Sequence, residues 1–173
     1  MENQPEVKIA IEPFTLELAA EITPLGQECW DECSEIKKDT CAYHGQRGLP
    51  IDPNNEMYLQ MQSNNALIAM TLRDETEVLR GYTLMILYYS MHLRREFCCN
   101  VDTFYVQPAY RQFMTRFRHR LQDECRARGV SIIGWPVTLS GLMFKILKNE
   151  GYIADDVIME LKLKDLPGEA SCA

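Results

Sequence analysis

One stretch of the chain, FCCNVDTFYVQPAYRQFMTRFRHRLQDECRARG, runs from a strand pattern directly into a helix pattern. Its first ten residues favour a strand, and Pro108 closes that strand because proline cannot donate a hydrogen bond to a sheet. Apolar side chains then recur at every fourth position, namely Phe113, Phe117, Leu121 and Cys125. This period predicts an amphipathic helix over residues 109–128 that ends at Gly129. A strand followed at once by such a helix is typical of a layered fold of helices on a sheet.

Alternating or apolar runs elsewhere predict the other strands. Residues 7–14 (VKIAIEPF) alternate and end next to a proline, which indicates an edge strand. Residues 66–73 and 78–92 flank the acidic turn DETE, so they predict a hairpin. Short segments at 131–136 (SIIGWP) and 156–165 (DVIMELKLKD) add a buried strand and a final strand.

Helix formers fill residues 15–38, but Pro24 and Gly26 interrupt them. Because proline removes a helical hydrogen bond and glycine weakens a helix, we expect two short helices there instead of one long helix. A loop rich in Gly, Pro and Asn follows at 41–55, and its length favours a functional loop on the substrate side. A short helix is then expected over 56–64.

The last predicted helix runs from Thr138 to a stop at Gly151. The resulting order of strands and helices predicts an α/β or α+β sheet with mixed strand directions. At 173 residues, with 46% hydrophobic and 25% charged residues, the chain has the size and composition of one ordinary domain. We therefore expect a single domain over 1–173, with a core over about 7–163 and a flexible tail over 164–173.

The sequence gives no indication of a membrane, metal or disulfide protein. No apolar run approaches the roughly 20 residues that span a bilayer, and MENQPEVKIA does not resemble a signal peptide, which favours a cytoplasmic protein. Seven cysteines without a CxxC pair indicate reduced thiols. Cys29 and Cys33 share a helix face upstream of His44, but a fourth ligand is not evident, so no metal site is predicted.

The net charge of −7 argues against nucleic acid as a partner, because phosphate neutralisation needs a basic field. Six arginines nevertheless fall within residues 111–128. A solvated helix face and an anion-binding surface are both consistent with this cluster. If the cluster binds nucleic acid or an acidic partner, its affinity should fall steeply with salt.

Two short motifs flank the predicted helices. Val106, Pro108, Tyr110 and Arg111 form the motif V-x-P-x-Y-R after a strand, and the last predicted helix ends in the Gly-aromatic pair Gly151 and Tyr152. With these residues, most of the chain resembles the GCN5-related N-acetyltransferase (GNAT) superfamily. Its members show V-x-P-x-Y-R after a central strand, then a glycine-rich turn, a long helix, a further strand and a helix that ends in a Gly-aromatic pair. The resemblance covers residues 7–163 and is strongest over 67–152. It implies a mixed, mostly antiparallel twisted sheet of about six to seven strands with helices on both faces.

Looser motifs, including IDPNNEMY, an acidic turn, RGY and MHL, resemble acetyltransferase-like proteins that tailed bacteriophages encode. This second resemblance implies a viral protein that resides in the host cytoplasm or in the virion. It also implies a viral or host protein as a partner.

The GNAT resemblance implies acetyl-coenzyme A (acetyl-CoA) as cofactor. Its pantetheine arm would pair with the backbone of Phe104, Tyr105 and Val106. Its pyrophosphate would lie at the following turn, where N–H groups at a helix N-terminus bind anions. The residues of that turn are Arg111, Phe113, Met114, Thr115 and Arg116. The family has small residues at two of these positions, which carry Met114 and Arg116 here.

The resemblance also implies transfer of the acetyl group to an amine, which needs a base to remove the ammonium proton. Asp102 is the predicted base, and Glu96 is the alternative. The tyrosine that acts as the acid in many family members falls on Leu147 here. Other phenols that are candidates for the role of acid are Tyr43, Tyr88, Tyr89 and Tyr105. His92 is either a proton carrier or a half-buried strand histidine.

Two functions remain open, because a fold does not fix a function. The first is an acetyl-CoA-dependent N-acetyltransferase of the GNAT type that acts on an unidentified amine. The alternative is a non-catalytic phage protein of GNAT fold with an internal virion, structural or host-interaction role and a degenerate cofactor site. The intact V-x-P-x-Y-R motif favours the first function, whereas the missing small residues and the missing tyrosine favour the second.

Overall fold

The structure, a computed structural model, describes residues 6–37, 50–91, 94–137 and 142–153. Within these residues the chain forms four α-helices, one 3-10 helix and five strands. In chain order the elements are β1 (Val7–Glu12), α1 (Leu16–Lys37), α2 (Asn55–Ser63), β2 (Leu67–Asp74), β3 (Leu79–Tyr89), β4 (Phe97–Val106), the 3-10 helix (Pro108–Phe113), α3 (Met114–Ala127), β5 (Ile132–Gly134) and α4 (Leu142–Asn149).

The strands form one sheet in the order β1-β2-β3-β4-β5. The first four strands are antiparallel to their neighbours, whereas β5 runs parallel to β4. Helix α3 packs on one face, and α1 and α2 pack on the other. This arrangement confirms the mixed, mostly antiparallel sheet with helices on both faces. The expected count of six to seven strands needs correction, because the described part contains five strands. The strand predicted at 156–165 lies outside the described residues.

The apolar stripe of α3 forms the centre of one core. Phe117, Leu121 and Cys125 are completely buried and pack in one cluster with strand residues such as Met70 and Leu72. Complete burial of a large apolar side chain contributes roughly 1.5–3 kcal/mol. The fourfold spacing seen in the sequence therefore holds α3 against the sheet. The helix predicted over 109–128 differs at its start, because Pro108–Phe113 form a 3-10 helix and the α-helix begins at Met114.

The opposite face of the sheet is covered by α1 and α2. Ile22 and Leu25 of α1 are buried there with residues of β2 and β3. Gly26 allows α1 to approach its neighbours closely, because a Cβ atom at this position would lie 2.8 Å from Cδ1 of Ile51 and 3.2 Å from the hydroxyl of Tyr82. The glycine thus serves packing and does not end the helix.

Helix α1 continues across Pro24, so the prediction of two short helices is wrong. Pro24 cannot donate to the carbonyl of Ala20, but both residues lie on the exposed side of the helix. Water can bind the freed carbonyl there. Leu18, Ile22 and Leu25 are buried on the other side, and their packing outweighs the local cost of the proline.

Most of the other predicted elements are confirmed. β1 lies at the edge of the sheet, and β2 and β3 form the predicted hairpin. Gly129 and Gly151 have positive φ angles of 78° and 90° just beyond α3 and α4, as their predicted role as stop signals requires. The predicted loop residues 41–49 and the predicted first turn of the last helix, 138–141, lie outside the described residues. Among the helices that are described, none is both long enough and apolar enough to cross a membrane.

Candidate functional site

Strand β4 has an open edge along its second half. Strand β5 pairs with β4 at three positions only, and the last pair joins Asn100 to Gly134. Beyond it, no described strand pairs with the edge of β4 that faces away from β3. Phe104, Tyr105 and Val106 lie on this stretch. Their backbone groups are thus placed where the family resemblance implies a bound pantetheine arm, although that role remains a prediction.

A β-bulge in β4 determines the orientation of Asp102. Thr103 pairs with Leu84 and Val101 pairs with Met85, so Asp102 is an extra residue without a partner on β3. Such an extra residue bends the strand and changes the direction of a side chain. The carboxylate of Asp102 is therefore directed toward helix α2, where it meets a tyrosine.

Tyr58 of α2 holds the carboxylate of Asp102. Its hydroxyl donates to Oδ2 of Asp102 at 2.7 Å, and the hydroxyl of Thr103 donates to the same oxygen at 3.2 Å. Burial, the hydrogen bond to Asp102 and its negative charge together raise the pKa of Tyr58 above the ordinary value for tyrosine. Sequence reasoning missed Tyr58, because a tyrosine in a short helix carries no signal of a contact with a residue 44 positions away.

Glu96, the alternative base, lies elsewhere. It precedes β4 and accepts a hydrogen bond from the hydroxyl of Ser131 at 2.5 Å. It lies six positions before Asp102, which corresponds to about 20 Å along a strand. The two carboxylates therefore do not share one reaction centre, and Asp102 is the one at the open edge.

Arg111, the first residue of the predicted phosphate turn, is bound within the protein. Its Nη2 donates to Oε2 of Glu32 on α1, and its Nε donates to the carbonyl of Val106 at 3.3 Å. The hydroxyl of Tyr105 lies 3.0 Å from Glu32 and 3.1 Å from Glu28. A carboxylate thus occupies the position beside Arg111 that the resemblance assigns to a phosphate.

The rest of the predicted phosphate turn is divided between two surfaces. Phe113 and Met114 are half-buried and pack toward the core beneath α3. The backbone N–H of Met114 donates to the carbonyl of Arg111, because the 3-10 helix leads directly into α3. Thr115 and Arg116 are exposed and line a groove of about 720 Å³ that extends to β1. The structure therefore does not bring Arg111 and Arg116 together at one anion site.

The other arginines of this region are mostly neutralised by carboxylates. Among the described residues, Arg116 is the one arginine of the cluster without an ion pair. The pairs are Arg111 with Glu32, Arg118 with Glu150, Arg120 with Glu124, Arg126 with Asp123 and Arg128 with Glu124. This pairing favours a solvated helix face over a surface for nucleic acid, since the carboxylates offset the positive charge that phosphates would need.

Within the described residues, the remaining candidates add no acid next to Asp102. Leu147 is buried in α4, and Tyr88 and Tyr89 are exposed at the far end of β3. Tyr43, His44 and His92 lie outside the described residues. No group of three or more metal-binding side chains occurs in the part that the structure describes, and no disulfide joins any of the five cysteines there.

Comparison with known proteins identifies the fold. No protein-family profile and no curated protein sequence matches the chain. The solved BH1408 protein from Bacillus halodurans, in a tetramutant form, superposes with a TM-score of 0.70 at 15% identity, over 90% of this chain and 99% of that chain. The chain therefore shares its fold with BH1408.

Two similar structures are acetyltransferases. The ribosomal-protein-alanine N-acetyltransferase from Brucella melitensis biovar Abortus 2308 has a TM-score of 0.60 at 16% identity, over 92% of this chain and 100% of that chain. The aminoglycoside acetyltransferase meta-AAC0020 from an uncultured soil metagenomic sample, in complex with sisomicin, has a TM-score of 0.66 at 9% identity, over 92% of this chain and 97% of that chain. At such low identity the likeness concerns the fold alone, and that fold is the one the sequence resemblance implied.

Proposed function

We propose that this protein is an acetyl-CoA-dependent N-acetyltransferase of the GNAT type, which acetylates an amine. The observation that carries the proposal is the open edge of β4, with the carboxylate of Asp102 held at the bulge on the same stretch. The acetyltransferase fold supports it. The acceptor amine is not defined by these residues, and a cytoplasmic location is proposed with the function.

The described residues fit one part of acetyl-CoA better than the other. The backbone along Phe104, Tyr105 and Val106 lies on the edge of β4 without a described partner strand and is able to pair with the amides of the pantetheine arm, although the carbonyl of Val106 already accepts a hydrogen bond from Nε of Arg111. The pyrophosphate end fits only if Arg111 leaves Glu32, because the arginine and the N–H of Met114 already have partners. We therefore expect binding that depends mainly on the arm.

Acetyl-CoA supplies an activated thioester carbonyl. Asp102 is proposed to accept the proton of the acceptor ammonium, so that the neutral amine attacks that carbonyl. The backbone of β4 fixes the arm and so brings the carbonyl close to the amine, which lowers the entropic part of the barrier. The C–N bond forms as the C–S bond breaks. Because Leu147 replaces the acid of many family members, the second proton that the nitrogen loses reaches the departing thiolate through water in this proposal.

Titration calorimetry with acetyl-CoA tests the proposal. A dissociation constant tighter than about 100 μM, equivalent to roughly 5.5 kcal/mol, supports it. Asp102→Asn should bind acetyl-CoA with unchanged affinity. Its rate of acetyl transfer to an amine panel of a polyamine, an aminoglycoside and a peptide with N-terminal alanine should fall about a hundred- to ten-thousandfold. No heat, together with no rise in melting temperature at excess acetyl-CoA, rejects the enzyme.

One observation favours the second candidate, a non-catalytic phage protein of GNAT fold with a virion or host-interaction role. Glu32 forms an ion pair with Arg111, and Met114 and Arg116 stand where the family turn has two small residues. The looser sequence motifs that resemble tailed-phage proteins point to a viral or host protein as its partner. Absence of acetyl-CoA binding in the calorimetric experiment is the result that this candidate requires.

A further inference from the structure

The contacts around Asp102 leave its two carboxylate oxygens unequal. Both hydroxyl donors, from Tyr58 and Thr103, bind Oδ2, at 2.7 Å and 3.2 Å. Among the described residues, Oδ1 has no hydrogen-bond partner, and the residue itself is exposed. One oxygen is therefore fixed by the protein while the other stays free to accept a proton.

The side chain of Tyr58 is held rigidly enough to fix that oxygen. Its ring packs against the buried ring of Phe14, with 5.3 Å between the centroids. The backbone N–H of Phe14 donates to Oε1 of Gln62, one turn further along α2, at 3.2 Å. Helix α2 is thereby tied to the end of β1, and the phenol is directed at β4.

The phenol of Tyr58 stays neutral at ordinary pH and donates a hydrogen bond to Asp102. Burial and the neighbouring Asp102 raise its pKa, so the hydroxyl keeps its proton. It neither competes with Asp102 as a base nor adds a second negative charge beside it. A fixed donor of this kind orients a carboxylate without taking its place in proton transfer.

We infer that Tyr58 is a positioning residue for Asp102. The hydroxyl of Tyr58 holds Oδ2 of Asp102, so that Oδ1 alone faces the acceptor ammonium. The inference rests on the proposed acetyltransferase function. In the step it serves, the N–H bond of the ammonium breaks, the proton passes to Oδ1, and the nitrogen keeps the electron pair with which it attacks the thioester carbonyl.

A double-mutant cycle tests the role. Tyr58→Phe removes the hydroxyl and keeps the ring, so kcat should fall about ten- to hundredfold, the effect of a misplaced catalytic group. The KM for acetyl-CoA should stay within twofold of wild type. In the background of Asp102→Asn, Tyr58→Phe should cause no further loss, because it acts through Asp102. Tyr88→Phe, at an exposed position, is the matched control and should keep wild-type kcat.

A spectroscopic measurement keeps the inference testable if Tyr58→Phe folds poorly. In protein labelled with 13C at tyrosine Cζ, the signal of Tyr58 should titrate at lower pH in Asp102→Asn than in wild type, since the carboxylate raises its pKa. An unchanged titration overturns the inference. Equal loss from Tyr58→Phe with and without Asp102 also overturns it.

The two proposals fail in different ways. In one outcome, the wild-type protein binds acetyl-CoA and releases thiol with an amine of the panel, and Tyr58→Phe keeps full kcat. This result refutes the positioning role and leaves the proposed enzyme function standing. Wild-type protein that neither binds acetyl-CoA nor releases thiol refutes the enzyme, and the positioning role with it. If the wild-type protein binds acetyl-CoA but transfers acetyl neither to an amine nor to water, so that no thiol is released, then Asp102 is not a catalytic base and Tyr58 does not position one.

Discussion

Two aspartates show how their surroundings assign different tasks to the same side chain. Asp74, 7% exposed, closes the hairpin turn: Oδ1 accepts hydrogen bonds from Thr76 and Val78, and Oδ2 accepts them from Arg80 at 2.7 Å and from the hydroxyl of Tyr110 at 3.3 Å. Asp102 is exposed, and only one of its oxygens has donors among the described residues. The first carboxylate is thus suited to structure, and the second keeps an oxygen available for chemistry.

Asp74→Asn should weaken the fold at neutral pH but much less in acid. The hydroxyl of Thr76 and the guanidinium of Arg80 hold the pKa of Asp74 well below its ordinary 3.8. Its stabilising effect is therefore complete above pH 3.8 and is lost as the pH falls through the lower pKa of the folded state. Urea unfolding of both proteins at several pH values measures this.

The control for that measurement is Glu75→Gln, which changes the exposed neighbouring carboxylate in the same turn. It should leave the free energy of unfolding within about 0.5 kcal/mol of wild type. A constant difference between Asp74→Asn and wild type at all pH values would contradict the role of the charge.

At the scale of elements, helix α1 contacts two parts of the candidate site, the sheet face next to α2 and the turn after β4. Its buried side chains hold the sheet face next to α2, and its Glu32 reaches the turn after β4 and binds Arg111. The helix is continuous through Pro24, so these two parts are rigidly connected. Changes in α1 are therefore expected to affect both stability and the phosphate turn.

Pro24→Ala should stabilise the protein. Alanine restores the donor that can bind the carbonyl of Ala20, and proline is about 3 kcal/mol less favourable than alanine inside a helix. Part of this gain is offset because proline also restricts the unfolded chain. We expect an increase of about 1–2 kcal/mol in the free energy of unfolding, measured by urea denaturation.

Pro13→Ala is the matched control, since Pro13 is exposed and lies between β1 and α1. Its effect should stay within about 0.5 kcal/mol. A loss of stability in Pro24→Ala, with little change in Pro13→Ala, would contradict this expectation. It would show that Pro24 gives α1 a shape that its packing against the sheet requires.

Glu32→Gln should increase the affinity for acetyl-CoA, because it releases Arg111 for the pyrophosphate. The pair is exposed, and such ion pairs are worth about 0.2–1 kcal/mol, so the gain should not exceed about fivefold. Calorimetry measures it, with Glu28→Gln as the control that leaves the Arg111 pair in place. Equal affinity in wild type and Glu32→Gln would show that Arg111 does not meet the cofactor.

At the scale of the whole molecule, one sheet carries a core on each face. Strand β4 contributes Val101 and Val106 to the core under α3, and Tyr105 to the core under α1 and α2. Because the two cores share the same strands, neither should melt without the other. We propose that the chain over 1–173 unfolds as one domain.

Scanning calorimetry tests this cooperativity. A single transition is expected, with a calorimetric enthalpy equal to the van't Hoff enthalpy and near 0.7 kcal/mol per residue at about 60 °C. Acetyl-CoA at 100 times its dissociation constant should add about 2.7 kcal/mol and shift the whole transition upward. Two separate transitions would contradict the single domain.

The sequence by itself determined the layered fold, the hairpin and the helix that packs on the sheet. Alternation in the strands and the fourfold repeat of Phe113, Phe117, Leu121 and Cys125 are local patterns, and burial acts directly on them. The sequence also marked Asp102, through the resemblance of the strand that carries it.

Only the tertiary structure decided the arrangement of the candidate site. The bulge at Asp102, the donor from Tyr58 and the pairing of Arg111 with Glu32 all join residues that are distant in the chain or depend on strand register. The continuity of α1 across Pro24 likewise depends on packing against the sheet. Contacts of this kind arise from the three-dimensional packing of the whole chain, and no local pattern of residues encodes them.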